Sequence, residues 1–282
     1  MLPQEHQGVS STSGHKKTPG SVTAQGGRGV PGDYYSSLPQ PDAPINPRHV
    51  AALRRAISTD RFAPFAVSSG QDAELACRLY VWDGDLEAAI LRDIAVVEVA
   101  LRNALSRILE AALGPTWYDD RALHRDRRLE SMRDRAKDEL NLSGKRITSG
   151  RMTAQLTLGF WVGLLDLRSD ALWRAGLFQA FPGGKYEARN AGQRYGRAWV
   201  HSQARIIQVL RNRCAHHETV LNGFPLPGQY KRLSARDGIA GYMLVARMID
   251  RDLADWLRQT STTTAILAAR PQPIPPTTGD QA

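Results

Sequence analysis

The chain has 282 residues, of which 42% are hydrophobic and 23% charged, which is enough apolar content for a globular core over most of its length. With 37 Lys+Arg against 28 Asp+Glu its formal net charge is +9. That excludes an acidic, solvating protein and points to a polyanionic partner: nucleic acid, a phosphate-bearing substrate or an anionic membrane.

The first segment, residues 1–47, is Gly, Ser, Pro, Gln and Thr with hardly an aliphatic cluster. It buries too little apolar surface to offset its ordering entropy, so a disordered tail is expected there. One domain is expected over residues 48–262, followed by a Pro-rich tail over 263–282 that ends RPQPIPPTTGDQA. No repeat occurs at solenoid periods. The N-terminus lacks an apolar signal core, and no run of about 18 apolar residues offers a membrane span. The two cysteines, Cys77 and Cys214, exclude a disulfide scaffold and a Cys-rich zinc module. A cytoplasmic, reduced protein without a membrane anchor is the expectation.

Between the tails, helix follows helix. Val50–Ser58 makes a short amphipathic start, and Asp72–Asp83 a second helix capped by Asp72. A long helix is expected from Asp85 to Leu113, ended by Gly114-Pro115; Ile90, Ile94, Val97, Leu101, Leu105, Ile108 and Ala112 mark its buried face. Glu98, Arg102 and Asn103 interrupt that apolar helix. Glu98 and Arg102 are spaced for an i,i+4 ion pair at the core margin, or they form a polar island that orients a catalytic group from behind. Asp126–Leu140 interleaves acids and bases, as a solvated helix does. Thr153–Leu167 is apolar almost all round, as a central helix would be, and Gly183-Gly184 after Pro182 reads as a turn. A helix over Trp199–His217 and a last amphipathic one over Gly238–Arg258 complete the series. No set of alternating strands stands out, so the fold class is all-α.

The chemistry concentrates in Arg211-Asn212-Arg213-Cys214-Ala215-His216-His217-Glu218. At about 100° per residue, Trp199, Ile206, Leu210, Cys214 and His217 fall on a core face. Arg194, His201, Arg205, Gln208, Asn212 and His216 form a polar stripe, with Arg211 on the flank. His217 is thus expected to be a structural histidine, whereas His216 reaches solvent or a ligand. From Lys185 to Arg213 there are seven basic residues and one acid, Glu187, enough to hold phosphates. Tyr186, Tyr195 and Trp199 are interleaved, and an aromatic at such a face can stack a base; for Trp199 the core reading is favoured. No HExxH, P-loop, dinucleotide fingerprint or nucleophile elbow occurs. Cys214 and His216 point to different sides of the helix, so no metal site is expected.

RNRCAHHE resembles the R-x4–6-H motif, commonly RNxxxH, of the HEPN superfamily. More narrowly, the chain is similar to the abortive-infection (AbiD/AbiF-type) Abi-like proteins of bacteria. The stretch from DRFAPFAV to EVALRNALSRIL resembles their N-terminal block, TAQLTLGFWVGLL the block with an F-W core, and LRNRCAHHETVLNG the C-terminal block. The resemblance covers about Thr59 to Trp256. It implies a HEPN-like helical bundle, a role in phage defence by growth arrest and, for many active members, metal-independent ribonuclease activity with no cofactor. Arg211 and His216 match the two defining positions and Asn212 the frequent polar residue after the Arg. His217 matches the looser R-x5-H version, and Glu98 and Arg102 match the polar pair of the early helix. The superfamily also contains silent RNA-binding or regulatory modules, so a toxin restrained by an RNA or protein antitoxin and a non-catalytic binder are both open.

For cleavage, a base must activate the 2′-OH, an acid must protonate the 5′-O leaving group, and positive charge must meet the phosphorane. An imidazole suits the proton steps and a guanidinium the charge. His216 is therefore assigned to proton transfer, Arg211 to the phosphate, Asn212 to orientation, and Arg194, Arg197 and Arg205 to RNA binding. The product would carry a 2′,3′-cyclic phosphate. On an ideal helix Arg211 and His216 are about 140° apart, so a homodimer whose composite cleft takes each residue from a different subunit is expected.

Overall fold

A computed structural model describes residues 45–123, 126–166 and 170–273. Residues 1–44 of the expected N-terminal tail and 274–282 of the C-terminal one lie outside the described residues. Among the described residues, twelve α-helices and almost no strand make the architecture all-α.

The organising element is α3, Ala73–Leu113. It begins at Asp72, whose carboxylate accepts the backbone N–H groups of Glu74 and Leu75, and stops at Gly114 with φ 85°. The helix has 41 residues, about 60 Å at 1.5 Å per residue, and it runs straight through Gly84. Two helices were expected here. One glycine costs a helix only about 1 kcal/mol, and Trp82, Asp83, Leu86 and Glu87 around it are all buried, so packing overrides the break. Ahead of it stand α1, Pro47–Ala56, and α2, Thr59–Ser68. Phe62 and Phe65 of α2 close over Tyr80 of α3.

The long helix α3 packs on α5, Ser149–Gln155, and α6, Leu158–Gly163, and those two carry α4, Arg127–Leu142, on their other side. Asp126 caps α4, and the helix is not simply solvated as expected: Leu129, Arg133, Ala136 and Leu140 are buried. The apolar stretch expected as one central helix is broken at Leu156 and Thr157, both extended. The break lets Leu156, Leu158, Phe160 and Trp161 all find the core, joined by Trp117, whose indole N–H donates to Ser149.

Next come α7, Asp170–Ala175, and α8, Gly184–Asn190, so Gly184 opens a helix rather than a turn. Then α9, Arg197–Ala215, lies against α3 and crosses α10, Ala235–Ile249. Gly238 and Gly241 of α10 sit at that crossing. A Cβ on Gly238 would come within 2.6 Å of Leu210 Cδ2, and one on Gly241 within 3.0 Å of Ile206, so the two backbones approach closely. Between α9 and α10 a two-residue hairpin pairs Phe224 with Leu233 and Pro225 with Arg232.

The last amphipathic segment is two helices, α10 and α11, Arg251–Thr260. Asp250 breaks it by turning extended and accepting the N–H groups of Asp252 and Leu253. The folded part then continues into α12, Thr263–Ala268, inside the stretch expected as a tail. Thr263 is buried there in a hydroxyl network with Tyr242, Ser261 and Asp93.

Candidate active site

Residues 211–218 occupy the end of α9 and the turn that follows it. The helix stops at Ala215, and the His216 N–H still bonds back to the Asn212 carbonyl (3.0 Å). His217 then adopts φ 53°, a left-handed conformation that a non-glycine residue seldom takes without a reason. The turn is held from three sides. Arg213 Nε donates to the Thr219 carbonyl (2.7 Å) and Nη1 pairs with Glu218 (3.3 Å). Arg61 of α2 donates to the His216 carbonyl (3.0 Å). Asp83 of α3 accepts the Val220 N–H (3.2 Å). The left-handed residue is thus pinned between fixed points before and after it.

This end of the helix changes the reading of the histidines. His217 was expected on the core face, but the helix finishes before it. Its side chain is 77% exposed and lies 3.9 Å through Nδ1 from Glu87 Oε2. His216 is exposed, as is Asn212. Arg211 is 43% exposed, and its Nε faces Glu98 Oε2 at 3.8 Å, with Glu98 itself 18% exposed. Of the two alternatives for the polar island on α3, Glu98 thus pairs across to α9 rather than with Arg102. Arg102 makes a long contact with the Ala154 carbonyl (3.5 Å), away from Arg211. Glu87 meets His217 and Glu98 meets Arg211, the order given by two helices running in opposite directions.

The polar stripe upstream is less open than the helical wheel implies. Arg197 is only 11% exposed: Nη1 donates to the Leu165 carbonyl (2.8 Å) and Nε pairs with Asp170 (3.3 Å). It ties the start of α9 to the preceding segment, which removes it from the expected RNA-binding set. Arg205 is half-buried and bonds Gln208 (2.7 Å). Burial pushes the His201 imidazole below its ordinary range, with Arg205, Arg197 and Arg128 acting in the same sense and Asp166 against it. Arg194 is exposed, just before α9. Tyr195 spends its hydroxyl on the Phe178 carbonyl (3.0 Å) and its ring on Trp173, and Trp199 packs at the core edge. Tyr186 is exposed, with Arg251 stacked 4.2 Å from its ring centre.

Three residues that the sequence reading passed over belong to this site: Arg61, Asp83 and Glu87. Asp83 and Glu87 are both buried. Burial raises the Asp83 carboxyl above its usual range, against hydrogen bonds from Thr219, Val220 and Leu221. Burial, followed by the charge of Asp83, raises Glu87 to about 7, against the pull of Arg213 and Arg61. A signal was present, since two acids spaced i,i+4 within the Leu79–Leu86–Ile90 stripe are a buried acidic pair. Cys214, behind the turn, is buried and its thiol is pushed up to about 12, chiefly by burial, so it packs rather than reacts. Among the described residues no group of His, Cys, Asp and Glu is arranged to hold a metal ion, and no helix is long and apolar enough to cross a membrane.

Against known proteins, the family model described as Abi-like protein matches residues 52–222, which contain α3, α9 and the whole turn. No curated protein and no solved structure gives a significant match.

Proposed function

The chain belongs to the Abi-like protein family, whose name ties it to abortive infection, and from that premise we propose that it is a metal-independent endoribonuclease of HEPN, AbiD/AbiF type acting as a growth-arrest toxin in phage defence. The observation that carries the reading is a half-exposed guanidinium, Arg211, braced by Glu98 within one or two helical turns of exposed Asn212 and His216. Arg211 meets the negative charge that grows on the phosphate, and the Glu98 carboxylate fixes the side chain while its remaining donors stay available. His216 takes the proton of the 2′-OH as that oxygen attacks phosphorus. The P–O5′ bond breaks, leaving a 2′,3′-cyclic phosphate and a 5′-hydroxyl. Asn212 orients the phosphate, and Arg194 with the open face of Arg205 guides the RNA by charge. The chain needs no cofactor in this scheme.

The end of α9 at Ala215 frees His216 from the strict helical angle to Arg211, and a homodimer removes the remaining separation by supplying each residue from a different subunit. A cytoplasmic toxin of this kind calls for restraint by an RNA or protein antitoxin. Induced expression beside His216→Ala, with growth and total RNA followed, tests the reading. Growth arrest with RNA decay in the wild type alone is expected; equal arrest by both chains contradicts it. Tight RNA binding without cleavage would instead identify a silent binding module. For the dimer, mixing Arg211→Ala with His216→Ala chains should regain part of the activity, and a strict, active monomer would rule it out.

A further inference from the structure

We propose that His217, oriented by the buried carboxylate of Glu87, is the second proton-transfer group of the site, the acid that protonates the 5′-oxygen as it leaves. The inference rests on the ribonuclease reading above and supplies the step that reading leaves unassigned, because one imidazole serves as base and a second group must serve as acid.

Four independent features of the turn meet at this residue. His217 holds φ 53°, strain that the surrounding bonds of Arg61, Asp83 and Arg213 impose rather than relieve. Its imidazole is open to solvent although its neighbours Cys214 and Val220 are buried, so the backbone geometry presents the ring outward. Its Nδ1 faces Glu87 at 3.9 Å, ion-pair range though longer than a hydrogen bond, which leaves Nε2 as the nitrogen directed elsewhere. Glu87 is 8% exposed, and its carboxylate makes no hydrogen bond to another described side chain. A buried carboxylate without a fixed donor is costly, and here the imidazole of His217 comes within ion-pair range of it.

The groups facing Glu87 come from every element around it. Asp83 precedes it by one turn on α3, Arg213 and Cys214 face it from α9, Arg61 from α2, and His217 with Glu218 from the turn. Asp83 and the turn's own Glu218 oppose a charge on Glu87, and the two arginines favour it. The bond balance is closed: the 2′-OH proton passes to neutral His216, the imidazolium of His217 gives its Nε2 proton to O5′, and solvent exchange resets both rings. Glu87 touches no reacting atom and is a positioning residue.

The test uses the full chain and two substrates, an RNA oligonucleotide and a uridine 3′-(p-nitrophenyl phosphate), whose leaving group needs no acid. His217→Asn keeps a residue that tolerates the left-handed backbone; His217→Gly is the second variant in case the first folds poorly. The expected result is a loss of about 100-fold on RNA with near wild-type turnover of the activated diester, whereas His216→Ala fails on both. Glu87→Gln should cut RNA cleavage about tenfold while turnover of the activated diester stays near wild type. Equal losses on both substrates in His217→Asn or Glu87→Gln, or full RNA cleavage by either variant, overturns the proposal. A wild type that cleaves neither substrate overturns the ribonuclease reading itself, and the acid role with it.

Discussion

Two buried carboxylates on the same helix have opposite surroundings. Asp93 of α3 accepts the Tyr242 hydroxyl at 2.9 Å and the hydroxyls of Ser261 and Thr263 on one oxygen, so three neutral donors lock α10 and α12 onto α3. Six residues earlier and about 120° round the helix, Glu87 has no such donors and looks onto an exposed histidine. Burial pushes the Tyr242 phenol well above its ordinary value, and the neighbouring Asp93 adds to it. Burial raises the Glu87 carboxyl to about 7. Three hydroxyl donors, with the Arg92 guanidinium 3.6 Å from its other oxygen, make Asp93 part of the scaffold; Glu87 has an exposed imidazole within ion-pair range and no such donors.

Removing the lock should have the largest effect on stability. Asp93→Ala strands two buried hydroxyls and frees α12, an expected cost of about 3–5 kcal/mol in urea unfolding, with RNA affinity of the folded fraction unchanged. The substitution at the other acid should act with the opposite sign. Because Glu87 is raised from 4.5 to about 7, the folded chain holds a proton there that the unfolded chain has released. That contribution is present at low pH and lost as pH rises through about 7. Glu87→Gln should therefore flatten the pH dependence of stability and gain up to about 3 kcal/mol above pH 8. A wild-type stability that does not fall between pH 5 and pH 8, all chosen buffers being otherwise alike, would break the contrast.

Away from both acids the effects shrink. Gly238→Ala, at the α9–α10 crossing, should cost about 1–3 kcal/mol in thermal unfolding, because Leu210 and the Phe224 ring must give way, without moving any pH dependence. Arg194→Ala should leave stability within about 0.5 kcal/mol and lower the salt slope of RNA binding by about one.

The helical class and most of the buried face of α3 were legible because spacings of three and four leave no other regular structure; near the helix end Ile108 is only half-buried and Ala112 is exposed. The Asp72 cap was legible from residue type. Breaks within continuous apolar periodicity were not: Thr157 and Asp250 interrupt segments whose pattern carries on across them. Ser234 and Asp237 form a capping box, a signature that locates the start of α10 three residues before the expected Gly238. At the site, Arg211, Asn212 and His216 could be singled out from their order. The environment of His217 could not, since no glycine or proline marks the end of α9 and a helical wheel extended past Ala215 buries the ring. Arg61 enters through a contact between residues far apart in sequence, which no local pattern records, whereas Glu87 carried a local sign in its i,i+4 spacing from Asp83.

The most direct test of the central claim is single-turnover cleavage of end-labelled RNA by the purified full-length chain in excess EDTA, beside a His216→Ala chain matched for folded content by circular dichroism. The account predicts cleavage by the wild type to 2′,3′-cyclic phosphate and 5′-hydroxyl ends, and a loss of at least about 100-fold in the variant. Cleavage that appears only with a divalent ion, or that survives His216→Ala undiminished, would contradict it.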